Sequence, residues 1–171
     1  MNRLQLEQII NEYGDKVYSF CVYLTKNRSE ADDLYQDTFL KAIELNEIDY
    51  SNNPKSYLLG IAINIWRNKR RRILLFNKKV MQLKISHDNT EEDENGFDYP
   101  ETAAEKDEIK SRVHTAINSL PDKYRIIILM YYMEELSVTQ IAEIVKIPQG
   151  TVKSRLYKAR KMLEKQLEDL I

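Results

Sequence analysis

One cysteine, two histidines, four glycines and four prolines are all that 171 residues hold of these types. The lone Cys21 excludes an internal disulfide and any multi-cysteine metal site. His87 and His114 are distant in sequence and show no metal-ligand spacing, so no metal or cofactor is expected. Scarce Gly and Pro beside abundant Leu, Ile, Lys and Glu favour an all-α fold. No apolar run approaches the ~20 residues needed to cross a bilayer, and no signal peptide heads the sequence. A cytoplasmic protein without membrane insertion is expected. Carboxylates cluster in places, but no nucleophile, histidine partner or ligand set accompanies them. No catalytic residue is expected, and the chain does not read as an enzyme.

Local charge is what the sequence has in excess. The net charge of −1 conceals a strong segregation. Residues 64–84 hold eight basic groups and no acid, and residues 146–165 hold seven basic groups and one Glu. Residues 30–49 hold seven acids and one Lys, and residues 86–108 hold ten acids and one Lys. The basic segments suit phosphate contact, where each neutralised phosphate releases counterions. The acidic segments suit another partner or solvent.

The stretch from Ser137 to Lys165 carries the most information. Ser137 and Gln140 have the spacing of a capping box, in which each end of the first turn satisfies a free backbone N–H of the other. Ile141, Ala142, Ile144 and Val145 then pack a short helix. A break follows at Ile147-Pro148-Gln149-Gly150, where Pro has no N–H to lose at a helix start. Val152, Leu156, Ala159 and Leu163 recur at helical spacing beyond it, with basic residues between them. Two short helices, a tight turn and a basic second helix make a helix-turn-helix, whose second helix can enter the major groove.

Upstream, Tyr13, Val17, Phe20, Cys21 and Leu24 mark an amphipathic helix, with Leu6, Ile9 and Ile10 in an earlier turn that Gly14 separates or loosens. Ser29 is the expected N-cap of a second helix, whose face is Leu34, Thr38, Ala42 and Leu45. Asn46–Asn53 reads as a loop, and Asn53-Pro54 opens a third long helix packed through Leu58, Ile61, Ala62 and Ile65. Residues 87–100 have linker composition, acidic and without apolar period. Ile109, Val113, Ala116, Ile117 and Leu120 begin a further helical set, and Pro121 opens the helix that carries Ile126–Met130. The expectation is two small helical domains, residues 1–85 and 102–171, joined by a flexible acidic linker at 86–101.

Three stretches together resemble the bacterial sigma factors of the extracytoplasmic function (ECF) type, within the sigma-70 family. Leu120–Leu163, LPDKYRIIILMYYMEELSVTQIAEIVKIPQGTVKSRLYKARKML, is similar to the fourth region, which reads the −35 promoter element. Glu30–Ala42, EADDLYQDTFLKA, is similar to the second-region helix that docks on the polymerase clamp. Asn53–Arg72, NPKSYLLGIAINIWRNKRRR, is similar to the segment that opens and reads the −10 element. The chain departs from the pattern at Tyr57, Ile63 and Asn68. It also has Lys146 where the turn commonly carries Gly, and a positive φ there would cost about 1 kcal/mol.

The resemblance implies a factor that binds core RNA polymerase and directs initiation at promoters, with an anti-sigma factor as a further partner. Gln149, Thr151, Lys153, Ser154 and Arg155 occupy the recognition-helix end that meets base edges, where Arg and Lys can read guanine and Gln adenine. Lys158, Arg160 and Lys161 lie further along, suited to phosphate. Asp32, Asp33, Gln36, Asp37 and Phe39 would meet core polymerase. Tyr57, Asn64, Trp66, Arg67, Lys69, Arg70 and Arg71 would serve the −10 element, because melted bases stack on aromatics and basic flanks hold the strand. Against this stands a polymerase-independent helix-turn-helix regulator, which would usually dimerise on a palindrome. A helical adaptor using the acidic helix is the other rival.

Overall fold

A computed structural model describes residues 3–45, 53–83 and 106–168. The expected loop at Asn46–Asn53, apart from Asn53 itself, and the acidic linker at 86–101 lie outside the described residues. Within them the regular structure is entirely helical: α1 (Arg3–Thr25), α2 (Arg28–Leu45), α3 (Pro54–Leu83), α4 (Lys106–Ser119), α5 (Asp122–Ile128), α6 (Val138–Val145) and α7 (Gln149–Gln166), with a π-helical turn at Leu129–Met133.

Gly14 neither ends nor breaks α1, which runs through it. Its value is proximity: a Cβ there would lie 3.0 Å from the Tyr35 hydroxyl on α2. Lys26 closes α1 in the left-handed conformation, at φ 59°. The cap of α2 is Asn27, whose Oδ1 accepts the Glu30 N–H at 3.0 Å. Ser29, the cap expected from sequence, therefore lies inside the helix. An asparagine is an equally good N-cap, and the left-handed Lys26 just before it fixes the chain's entry.

Helix α3 is buried on two faces. Leu58, Ile61 and Ala62 form the expected one. Leu59, Ile63 and Trp66 are also buried, and they share a second stripe with Arg67 and Arg70. That stripe turns toward the C-terminal helices, where the position of a Cβ on Gly60 lies 3.8 Å from Ile144 Cγ2. Asn53 caps the helix through Oδ1 to the Ser56 N–H.

The C-terminal helices follow the sequence closely. Pro121 sets the start of α5, and the Tyr124 and Arg125 N–H groups bond back to its carbonyl. The helix then widens to a π turn before the backbone leaves at Glu134 and at Glu135, which has φ 55°. The capping box is complete: Ser137 Oγ accepts the Gln140 N–H at 3.2 Å, and Gln140 Oε1 accepts the Ser137 N–H at 2.9 Å. The buried side chains of α1–α3 and of α5–α7 form one continuous apolar cluster.

Candidate nucleic-acid interface

Helix α7 sorts its residues as helical geometry requires. Val152, Leu156 and Ala159 are buried against the C-terminal helices. Gln149, Lys153, Ser154, Lys158, Arg160 and Lys161 are exposed, and Thr151 and Arg155 are half-buried. Between α6 and α7 the turn is made by Lys146 at φ 55°, ψ 50°, so the left-handed position falls on a non-glycine residue. The strain anticipated for that residue is present. Arg160 is less free than its position suggests, because its guanidinium lies 5.5 Å from the ring centres of both Tyr131 and Tyr132. The sequence reading passed over Tyr157. It is 64% exposed and shares the outward face with Ser154, Lys158 and Lys161. Its i+3 spacing from Ser154 was the available signal.

On α3 the basic-aromatic set divides. Asn64, Lys69, Arg70 and Arg71 are exposed, Tyr57 and Arg67 are half-buried, and Trp66 is only 5% exposed. Arg67 Nη1 donates to the Val145 carbonyl at 3.1 Å. Burial, with the nearby charge of Arg155 second, lowers the Arg67 pKa. Arg70 Nε pairs with Asp122 at 2.9 Å, and its guanidinium lies over the Trp66 ring.

Arg125 completes this cluster, and nothing in the sequence reading identified it. It is 2% exposed, pairs with Asp122 at 3.0 Å, donates from Nη2 to the Leu24 carbonyl at 2.9 Å and approaches Trp66. Burial lowers its pKa, and Asp122 partly offsets that. An arginine inside the run YRIIILM is indistinguishable from a surface residue until α1 is laid against α5.

The acidic face of α2 is open. Asp32, Asp33, Gln36 and Asp37 are exposed, and Asp32 accepts the Tyr18 hydroxyl at 2.8 Å. Phe39 is not on that face. It is buried against Tyr35, with ring centres 4.9 Å apart, and the neighbouring Leu40 is the exposed apolar side chain at 59%. Among the described residues, no group of three or more His, Cys, Asp or Glu side chains could hold a metal ion. No described helix is long and apolar enough to cross a membrane.

A helix-turn-helix, a second basic helix and an acidic helix on one chain define a DNA-binding protein of transcription. Residues 9–73 match the family Sigma-70 region 2, and residues 110–163 match Sigma-70, region 4. The chain is 33% identical, over 95% of its length and 88% of the relative's, to the ECF RNA polymerase sigma factor SigW of Bacillus subtilis. It is 31% identical to SigM of the same organism, over 94% of each chain. The fold resembles that of the sigma factor RpoE of Bartonella quintana, solved with the anti-sigma factor NepR, at TM-score 0.72 and 22% identity over 96% of this chain and 97% of that one. It also resembles CnrH, solved with the cytosolic domain of CnrY, at TM-score 0.66 and 18% identity over 98% of this chain and 90% of that one. The chain belongs to the ECF sigma factors of the sigma-70 family. It is a promoter-directing factor of RNA polymerase.

Proposed function

We propose a division of this task among three helices, within two domains at 1–85 and 102–171 joined by the linker at 86–101. Helix α7 reads the −35 duplex: Gln149, Thr151, Lys153, Ser154 and Arg155 reach base edges, Tyr157 adds a ring to the same face, and Lys158 and Arg160 hold phosphate. Helix α3 takes the −10 element once its strands part, with Asn64, Lys69, Arg70 and Arg71 along the strand and Tyr57, Trp66 and Arg67 beside it. The carboxylates of α2, at Asp32, Asp33 and Asp37, with the Gln36 amide beside them, meet basic groups of core polymerase, with Leu40 as the apolar anchor. Phe39 supports that surface from beneath.

The observation that carries this reading is the separation of charge in space. Asp32, Asp33 and Asp37 are exposed together on α2, while Lys69, Arg70 and Arg71 are exposed on α3 and Lys153, Lys158, Arg160 and Lys161 on α7. Opposite charges on separate helices suit two different partners. The factor performs no chemistry of its own and works in the cytoplasm beside the polymerase. One protein of similar fold was solved with an anti-sigma factor and another with the cytosolic domain of CnrY, and an anti-sigma factor is a further partner for this chain.

Reconstitution with core polymerase on fragmented genomic DNA tests the reading. Mapped transcripts should start at a fixed distance downstream of two shared elements. Tight palindrome binding by the free protein, with no promoter-specific starts, would favour the polymerase-independent regulator instead.

A further inference from the structure

Helix α3 continues past the apolar cluster it helps to build. From Arg71 to Leu83 every residue is exposed except Val80, which is half-buried. The sequence there is nonetheless strongly apolar: Phe76 is 66% exposed and Met81 73%. A run of large apolar side chains left in water marks an interaction surface.

Helical phase sorts this tail. At about 100° per residue, Ile73, Leu74, Phe76, Val80, Met81 and Leu83 fall within one half of the circumference, and Asn77 is the one polar residue among them. The other half carries Arg71, Arg72, Lys78, Lys79 and Gln82, with Leu75 as its one apolar member. Lys78 borders the apolar arc beside Leu74, and Arg72 and Lys79 border it beside Leu83. No acid occurs in residues 64–84.

DNA phosphates would use the cations but gain nothing from six apolar side chains. A single partner helix would cover a seam narrower than this arc. A bilayer surface uses both halves. Apolar side chains enter the boundary between headgroups and acyl chains, while lysine and arginine at the arc's edges keep their charges at headgroup level. An excess of cations without acids selects anionic lipid.

We propose that residues 71–83 of α3 form an interfacial helix that lies on an anionic bilayer surface, with Phe76 and its apolar neighbours buried in it. The tail lies on the membrane and does not span it, since no described helix is long and apolar enough to cross. One short helix gives weak, reversible binding, so the factor would exchange between the bilayer surface and solution. The inference does not depend on the −10 assignment, which uses the stretch of α3 up to Arg71.

Sedimentation of the full chain with lipid vesicles tests this. Vesicles of phosphatidylglycerol and phosphatidylcholine should bind it at least tenfold more tightly than phosphatidylcholine alone, and raised salt should weaken the binding. Phe76→Gln should lower vesicle affinity at least fivefold, and Lys78→Gln with Lys79→Gln should lower it several-fold. Leu75→Gln makes the same kind of change on the opposite half and should leave binding within twofold of the wild type. No preference for anionic vesicles, or equal losses in Phe76→Gln and Leu75→Gln, would overturn the proposal.

Depth separates an inserted face from simple charge attraction. Phe76→Trp should shift its emission to the blue on anionic vesicles and be quenched by brominated acyl chains, against the constant background of buried Trp66. Emission that stays at its aqueous position on bound protein would mean that charge alone holds it, and the interfacial helix would fall. Absence of vesicle binding, with weaker core-polymerase binding or lost dimerisation in Phe76→Gln, would assign the face to a protein partner and likewise overturn the proposal.

Discussion

Arg67 on α3 and Arg155 on α7 sit close enough for the charge of one to disfavour the charge of the other, while Arg67 donates to the carbonyl of Val145 at 3.1 Å. The like charges oppose the packing that the hydrogen bond supports. Arg155→Ala should therefore raise thermal stability by a few tenths of a kcal/mol, the scale of partly solvated charge pairs. The same change removes a proposed base-reading group, so stability and promoter activity should move in opposite directions. Thermal unfolding monitored by circular dichroism checks the first half, and a fall in stability would contradict the Arg67–Arg155 repulsion.

Lys146 adopts φ 55° in the turn between α6 and α7. Replacing it with glycine relieves left-handed strain but adds freedom to the unfolded chain. The expected net gain is about 0.5–1 kcal/mol, read as a higher urea midpoint with an unchanged slope. A loss would show that the Lys146 side chain stabilises the turn by more than its backbone costs.

The Ser137–Gln140 capping box satisfies two free N–H groups at the start of α6. Ser137→Ala should cost about 1 kcal/mol in urea unfolding, and Ser137→Asp should restore most of it. Equal loss in both variants would mean that the turn, not the cap, sets the start of α6.

His114 stacks on Tyr23 across the two halves, and burial, followed by Lys110, lowers its pKa. A depressed histidine gives stability that is fully present above its unfolded value of about 6.5 and is lost as pH falls through the folded value. Acidification below pH ~6.5 should therefore weaken the fold. His114→Phe keeps a ring over Tyr23 and should flatten that part of the stability profile. The same slope in both proteins would assign the effect to other groups.

Much of the fold was legible because most signals were local. The capping box, Pro121, Asn53-Pro54 and the apolar period of α7 each depend on a few neighbouring residues. Gly14, Ser29 and Arg125 were misjudged or missed for the opposite reason. The role of each is set by a different helix or by the left-handed residue before it, and no spacing along the chain encodes the Tyr35 hydroxyl beside Gly14 or the Leu24 carbonyl beside Arg125. The candidate site follows the same rule. Exposed charges on α2 and α7 could be read from helical phase. The burial of Phe39 against Tyr35 could not, and the burial of Trp66 depends on Arg125 from a helix distant in sequence.

Polymerase docking and promoter reading fall to separate helices in the proposed division of labour. Its most direct test measures core-polymerase affinity and run-off transcription on the same proteins. Arg155→Ala should leave core affinity unchanged and lower promoter transcription by roughly 5- to 150-fold, the worth of one base-reading arginine at about 1–3 kcal/mol. Asp33→Ala with Asp37→Ala should lower core affinity, and saturating protein should recover transcription. Parallel loss of affinity and transcription in both variants would contradict the division of labour.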